Sequence, residues 1–421
     1  MNFNRRRFIT TTVAGGMASA LPYSAFGSVS QFKTQYPDYN QLNEIERRPV
    51  LKKELFPSPV LIKSVELLKY GKSFLCRVRS AEGAEGISVA HDGIYSHYLI
   101  FLNIQRQFIG KDARNLESLI DQVYISNYRL QGIALGIPAA TIEFAVLDLL
   151  GRIANKSIGL LIGEIHKPKI EFYLATEGRG TSADETLKVW QPQIEECRAK
   201  EIKIRVGAGH MTNNVDNPQG RTEKLIPLFR KTFGNKLDMS ADANGSYTVD
   251  EGIRVGKVLE DYGFIRYEEP VPYDYYEETK KVADALKIPI SGGEQDQSFH
   301  QLRWMLVNDG LDIIEPDVFY FGGMIRSTRI ARVAEACGNK QCTPHMSPGR
   351  LGFLYTFHFV STLPNGGFRP EFKGFETDVQ YECKTGKIKS EDGAVVVPTG
   401  PGLGVEIDPE WVKKHQLVPA F

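Results

Sequence analysis

With 421 residues, 42% hydrophobic and 24% charged, the chain has the composition of an ordinary globular protein and enough length for one large barrel plus a smaller unit. Its formal net charge is zero and no basic run lies beyond the extreme N-terminus, which argues against a nucleic-acid partner. Five scattered cysteines (Cys76, Cys197, Cys337, Cys342, Cys383) offer neither a zinc spacing nor a disulfide framework and are expected to act as small buried hydrophobes.

Residues 1–27 open with Arg5-Arg6-Arg7-Phe8-Ile9, continue through a mildly apolar uncharged stretch and end in small residues. That is the pattern of an export signal, too short and too polar to span a membrane, and the arginine pair resembles a twin-arginine signal. It implies a periplasmic protein exported already folded, with no membrane insertion of the mature chain. Residues 28–59 are polar and without a clear period, and are expected to form an extended arm or linker that could also serve a homo-oligomer contact. From residue 60 three strand patterns follow, Ile62–Leu68, Ser73–Arg79 and Glu85–Ala90, separated by Tyr70-Gly71-Lys72 and Ala81-Glu82-Gly83. Helical patterns come next near Asn115–Val123 and Ala139–Ala154, so residues 60–168 read as an α+β module.

Between residues 169 and 375 strand-like and helix-like runs alternate. The strand patterns are Glu171–Ala175, Glu201–Val206, Leu237–Ala241, Phe264–Tyr267, Ile288–Ser291, Asp312–Glu315, Gln341–Thr343 and Gly367–Pro370. Helical patterns such as Ala183–Lys200, Glu251–Tyr262, Arg326–Cys337 and Leu351–Thr362 fill the gaps. Eight such strands predict a closed parallel barrel, and no glycine-rich phosphate turn after the first strand favours an open doubly wound sheet. The tail, residues 376–421, carries Val395-Val396-Val397 and is expected to pack back on the N-terminal module.

Barrels of this kind keep their working residues where strands end. Asp242, Glu268 and Glu294 close or follow three successive hydrophobic runs, Glu268 lying 26 residues after Asp242 and Glu294 another 26 after that. One strand, one returning helix and two short loops fill about that length, so all three carboxylates converge on one rim. Any one of them alone would be an ordinary solvated acid. Together they repel unless a hard divalent cation neutralises them, and oxygen-only ligation suits Mg²⁺ or Mn²⁺. On the second strand, alternation puts Lys203 and Arg205 on the same inward side, where they require anions. Asp317 and His345 end the sixth and seventh strands and can hydrogen-bond, which would make His345 a general base. Glu371 ends the eighth strand, either facing a ligand or pairing with Arg369 or Lys373.

The ordered set Lys203-x-Arg205, Asp242-Ala-Asn244, Glu268-Glu-Pro270, Gly293-Glu294, Asp317, His345 and Glu371 resembles the enolase superfamily, in its mandelate racemase subgroup, over roughly residues 60–408. The resemblance implies a (β/α)7β modified TIM barrel with an N-terminal α+β capping domain completed by the C-terminal tail. It also implies one Mg²⁺ per subunit on Asp242, Glu268 and Glu294, and abstraction of the proton α to a carboxylate to give an enediolate. One position departs from the pattern: where the subgroup usually has a second lysine acting as base, this chain has Arg205, a permanently protonated clamp. His345 backed by Asp317 is then the base, and a single base suits β-elimination better than racemisation.

The reading is therefore a dehydratase of a small-molecule carboxylate, a sugar acid, giving a 2-keto-3-deoxy product. Lys203 would hold the substrate carboxylate, with Arg205, Asn244 and Glu371 as further contacts. His91 and Tyr95, in the 91–98 loop of the capping unit, would contact hydroxyls, and the 70–72 and 210–220 loops could also close on the substrate. A cycloisomerase of an anhydro sugar acid, an epimerase using Lys203 as second base, and an exported sugar-acid-binding protein without turnover remain as alternatives.

Overall fold

The computed structural model describes residues 36–209, 216–346, 351–367, 369–372 and 390–419; the expected export signal, Cys383, Lys373 and the first part of the 210–220 loop lie outside them. The described part of the polar arm is not extended. Helix α1, Tyr39–Glu46, begins with a reciprocal cap in which Asp38 accepts from the Asn40 and Gln41 amides and Gln41 Oε1 accepts from Asp38 N. Only Leu42 of this helix is buried, so no apolar stripe announces it in the sequence.

The capping unit is an antiparallel meander, β1 (Ile62–Tyr70), β2 (Ser73–Ser80) and β3 (Glu85–Val89), followed by helices α2 (Ile94–Ile104), α3 (Leu116–Ser126) and α4 (Ile133–Ala154). By length and composition α4 could cross a membrane, yet it is the core helix of this unit, 89% of its most apolar window being buried. It lies so close to the sheet that a Cβ on Gly86 would come within 2.3 Å of Ala145 O and Leu149 N. Glycine is required there by space.

After α5 (Ile158–Ile162) and β4 (Lys169–Glu171) come the barrel elements: β5 (Tyr173–Ala175), α6 (Ala183–Cys197), β6 (Glu201–Arg205), α7 (Arg221–Phe233), β7 (Asp238–Asp242), α8 (Val249–Asp261), β8 (Arg266–Glu268), α9 (Tyr276–Ala285), β9 (Ile290–Gly292), α10 (Phe299–Val307), β10 (Ile313–Ile314), α11 (Met324–Ala336), β11 (Gln341–Cys342) and α12 (Gly352–Ser361). Strands β5 to β11 are parallel neighbours in sequence order. The eighth position is filled around Glu371, which forms a parallel bridge with Tyr173; Tyr173 N donates to Pro370 O and Phe372 N to Tyr173 O, both at 3.1 Å. This is the (β/α)7β barrel with its capping domain.

Two details differ from expectation. The run 171–175 is divided at Phe172, and its first part, β4, pairs antiparallel with β12 (Ala394–Val396). The valine run of the tail therefore pairs with the short strand that leads into the barrel. After α13 (Pro409–Lys413), β13 (Gln416–Leu417) then joins the edge of β1. The barrel interior is also charged as well as apolar: the buried Arg266 lies 2.8 Å from Glu201 Oε1 and 3.2 Å from Glu315 Oε1, its guanidinium 4.7 Å from the Tyr173 ring centre. Such a buried network is tolerated because every cation in it faces an anion.

Candidate active site

The registers of β6, β7 and β8 place Arg205 beside Asp242 and Asp242 beside Glu268, while Glu268 pairs with Ser291, three residues before Glu294. All three acids are buried. Each strand end turns sharply at a left-handed residue: Asn244 (φ +42), Glu269 (φ +39) and Gly293 (φ +102). Asparagine and glycine accept that conformation readily, whereas Glu269 pays in strain, a pattern common at functional sites.

Charge is balanced pairwise across the mouth. Glu268 pairs with Lys203, Asp242 with Arg205, and Glu294 Oε2 lies 3.2 Å from His345 Nε2. Lys203 Nζ also donates to the Tyr173 hydroxyl at 2.8 Å. Burial alone would raise the proton affinity of Glu268, but Lys203, a hydrogen bond with Glu315 and Arg205 together outweigh it and hold the carboxyl well below its usual range. Glu315 and Glu269, buried in the same acidic neighbourhood, are driven the other way. Among the described residues no three acids or imidazoles stand ready around a metal ion, because Glu268, Asp242 and Glu294 face Lys203, Arg205 and His345 instead. In donor chemistry and position the three acids nevertheless fit a hard cation: they are buried, all-oxygen and on adjacent strand ends.

The imidazole arrives from the other side. Asp317 lies three residues beyond the end of β10, its Oδ1 accepting from the Phe319 and Tyr320 amides at 2.8 and 3.1 Å. Pinned in this way, its Oδ2 faces His345 Nδ1 at 3.0 Å; a carboxylate only accepts, so Nδ1 carries the proton. Burial works against a charged imidazole, but Glu294, the hydrogen bond to Asp317 and Glu371 outweigh it and push His345 up to about 9. Glu371 Oε2 is 3.5 Å from Nε2. Arg369 takes Glu171 and Asp238 as its partners, so the alternative pairing of Glu371 with Arg369 is not formed.

The structure thus brings together Lys203, Arg205, Asp242, Asn244, Glu268, Glu294, Asp317, His345 and Glu371. His91 reaches the same mouth from the capping unit, its ring 5.3 Å from that of Tyr320, which in turn lies 6.2 Å from His345. Tyr95 does not. On the first turn of α2 it faces away from the buried Ile94, is 62% exposed, and packs on Phe74 and Lys69. Residues that sequence reasoning missed are Arg179, which bonds Asn244 Oδ1 at 2.7 Å, Tyr173, and Tyr320. None sits in a charge pattern that would single it out.

Residues 188–411 match the family described as Enolase C-terminal domain-like. The chain is similar to the arabinonate dehydratase of Saccharolobus solfataricus, 27% identical over 303 residues that span 71% of this chain and 78% of that one. It is also similar to the D-galactarolactone cycloisomerase of Agrobacterium fabrum, 24% identical over 321 residues, 73% of this chain and 82% of that one. A solved Roseobacter denitrificans protein carrying a provisional racemase name superposes with a TM-score of 0.78 at 30% identity, covering 85% of this chain and 99% of that one. A mandelate racemase/muconate lactonizing protein of Paracoccus denitrificans, solved with magnesium, shares the fold at a TM-score of 0.77 and 24% identity, covering 86% and 100%.

Proposed function

We propose, for a chain that belongs to the enolase superfamily in its mandelate racemase subgroup, a magnesium-dependent lyase acting on acid sugars. It removes the proton α to a carboxylate and expels the β-hydroxyl as water, leaving a 2-keto-3-deoxy acid. The dehydratase named among its relatives supports this reading. The observation that carries it is the arrangement of the mouth: cations of β6 on one side, the Asp317–His345 pair on the other, and three carboxylates between them.

A proton beside an ionised carboxylate is weakly acidic because its removal concentrates charge on oxygens that already carry it. Held by Asp242, Glu268 and Glu294, Mg²⁺ or Mn²⁺ would supply Lewis-acid stabilisation of that charge. Lys203 and Arg205 add fixed positive charge at the same oxygens, and both remain protonated in the site, since the surrounding carboxylates more than offset the effect of burial on each. Arg205 cannot accept a proton, so it clamps. His345 acts in its neutral form: with Glu294 given to the cation, the largest charge that raises its proton affinity would be withdrawn, and Nε2 takes the α-proton while Asp317 keeps Nδ1 protonated and the ring oriented. The same Nε2–H then protonates the departing hydroxyl, which one base on one face can do. Asn244, Glu371 and His91 contact the substrate's hydroxyls.

The test is a screen of acid sugars with Mg²⁺ in D₂O. Keto-acid formation supports the lyase, and Glu268→Gln should abolish turnover and metal dependence together. Deuterium in recovered substrate without keto acid would point instead to an epimerase. Ring opening of a lactone or anhydro acid, as the name of the Agrobacterium relative suggests, would point to a cycloisomerase. Binding without any turnover would leave a sugar-acid-binding protein.

A further inference from the structure

The loop after β5 carries a cation to which the reaction above gives no role. It turns through Gly178 at φ +77 and is tied down by the buried Arg221, whose Nε donates to Thr181 O at 2.8 Å. Arg179 then crosses the ends of β6 and β7. Its Nε donates to Val206 O at 3.1 Å, and its Nη2 to Asp242 O at 3.1 Å and to Asn244 Oδ1 at 2.7 Å. All three acceptors are neutral oxygens. Gly209 (φ +95) makes room for this side chain, since a Cβ there would lie 3.2 Å from Arg179 Cδ.

Asn244 Oδ1 receives a second donor, Arg205 Nη1, at 2.8 Å. A guanidinium has donors only, so two of them on one carboxamide atom require that atom to be the oxygen and forbid the flipped amide. Asn244 Nδ2 must therefore point the other way. Among the described residues it is buried without a hydrogen-bond partner, in a side chain only 3% exposed. A buried donor left unpaired is destabilising, so its direction marks a place for an acceptor atom from outside the protein.

We propose that Arg179 is a positioning residue: together with Arg205 it fixes the polarity of the Asn244 carboxamide, and through it selects substrates that present an acceptor oxygen at that point of the mouth. A carboxylate, carbonyl or ring oxygen satisfies this, as does a hydroxyl whose own proton is donated elsewhere. A group able only to donate does not. The identity of the ligand rests on the acid-sugar reading, whereas the clamp on Asn244 does not.

The experiment has two arms. On the acid sugar turned over best, Arg179→Met and Asn244→Ala should each lower kcat/KM by about ten- to a hundredfold, and the double variant by no more than the worse single one, because one acts through the other. Arg179→Lys, which restores a donor, should recover part of the loss. Multiplying losses, or an Arg179→Met enzyme with unchanged kcat/KM, would overturn the proposal. The second arm needs no turnover. In Asn244→Asp both guanidiniums face a carboxylate, so Tm should rise, and the rise should shrink in the Arg179→Met background, where Arg205 alone is left to pair with it. Equal shifts in both backgrounds would refute the clamp. Absence of any turned-over acid sugar would defeat the substrate reading alone and leave this arm to decide.

Discussion

His345 is useful for chemistry only because Asp317 cannot move. Two backbone amides hold one oxygen of that carboxylate, which leaves the other to orient the ring. His345→Asn should therefore lower turnover by about 10²- to 10⁴-fold while ligand affinity, measured by calorimetry, persists; loss of affinity with turnover intact would reverse the assignment. Asp317→Asn should impair turnover as well, since an amide can present the wrong atom to Nδ1. These residues were legible in the sequence because strand ends at regular spacing place them on one rim. Arg179 was not, since it works through backbone carbonyls and an amide that no spacing reveals. Tyr95 was misjudged for a related reason: the 91–98 loop faces the site at His91, but α2 starts at Ile94 and turns the next side chain outward.

At the scale of elements, two contacts join parts of the chain far apart in sequence. Glu143 of α4 caps α11: its Oε1 accepts from Met324 N at 2.6 Å and Ile325 N at 3.2 Å, and Gly323 (φ +121) has no room for a Cβ against it. Burial pushes this carboxyl up to about 8 against the pull of the two amides. Glutamine can accept the same bonds, so in urea melts Glu143→Gln should hold most of the stability and Glu143→Ala should lose about 2 kcal/mol. His358 of α12 is buried and faces Leu403 O through Nε2 at 2.9 Å, and burial lowers its proton affinity from 6.5 to about 4. The unfolded chain takes up this proton first. The stabilisation is thus complete above pH 6.5 and is lost as the pH falls toward 4, by up to ~3 kcal/mol. Urea melts at pH 7 and pH 5 should show the decline, and His358→Gln should flatten it. Helices such as α1 escaped sequence reading because their signal is a cap and not an apolar stripe.

Taken whole, the molecule is a barrel whose mouth is built by strands and covered by a separate unit, with the tail touching both through β12 and β13. The alternation of strands and helices made the barrel legible. The split of the first strand and the charged column around Arg266 were not, because each depends on a partner distant in sequence. The central claim is that the acids of the mouth, now facing Lys203, Arg205 and His345, hold a divalent cation. Calorimetric titration of Mg²⁺ into the metal-free wild-type chain and into folded Glu268→Gln tests it most directly. One ion per chain, bound at least about tenfold more weakly by Glu268→Gln, is the predicted result; equal affinity in the two proteins would contradict it.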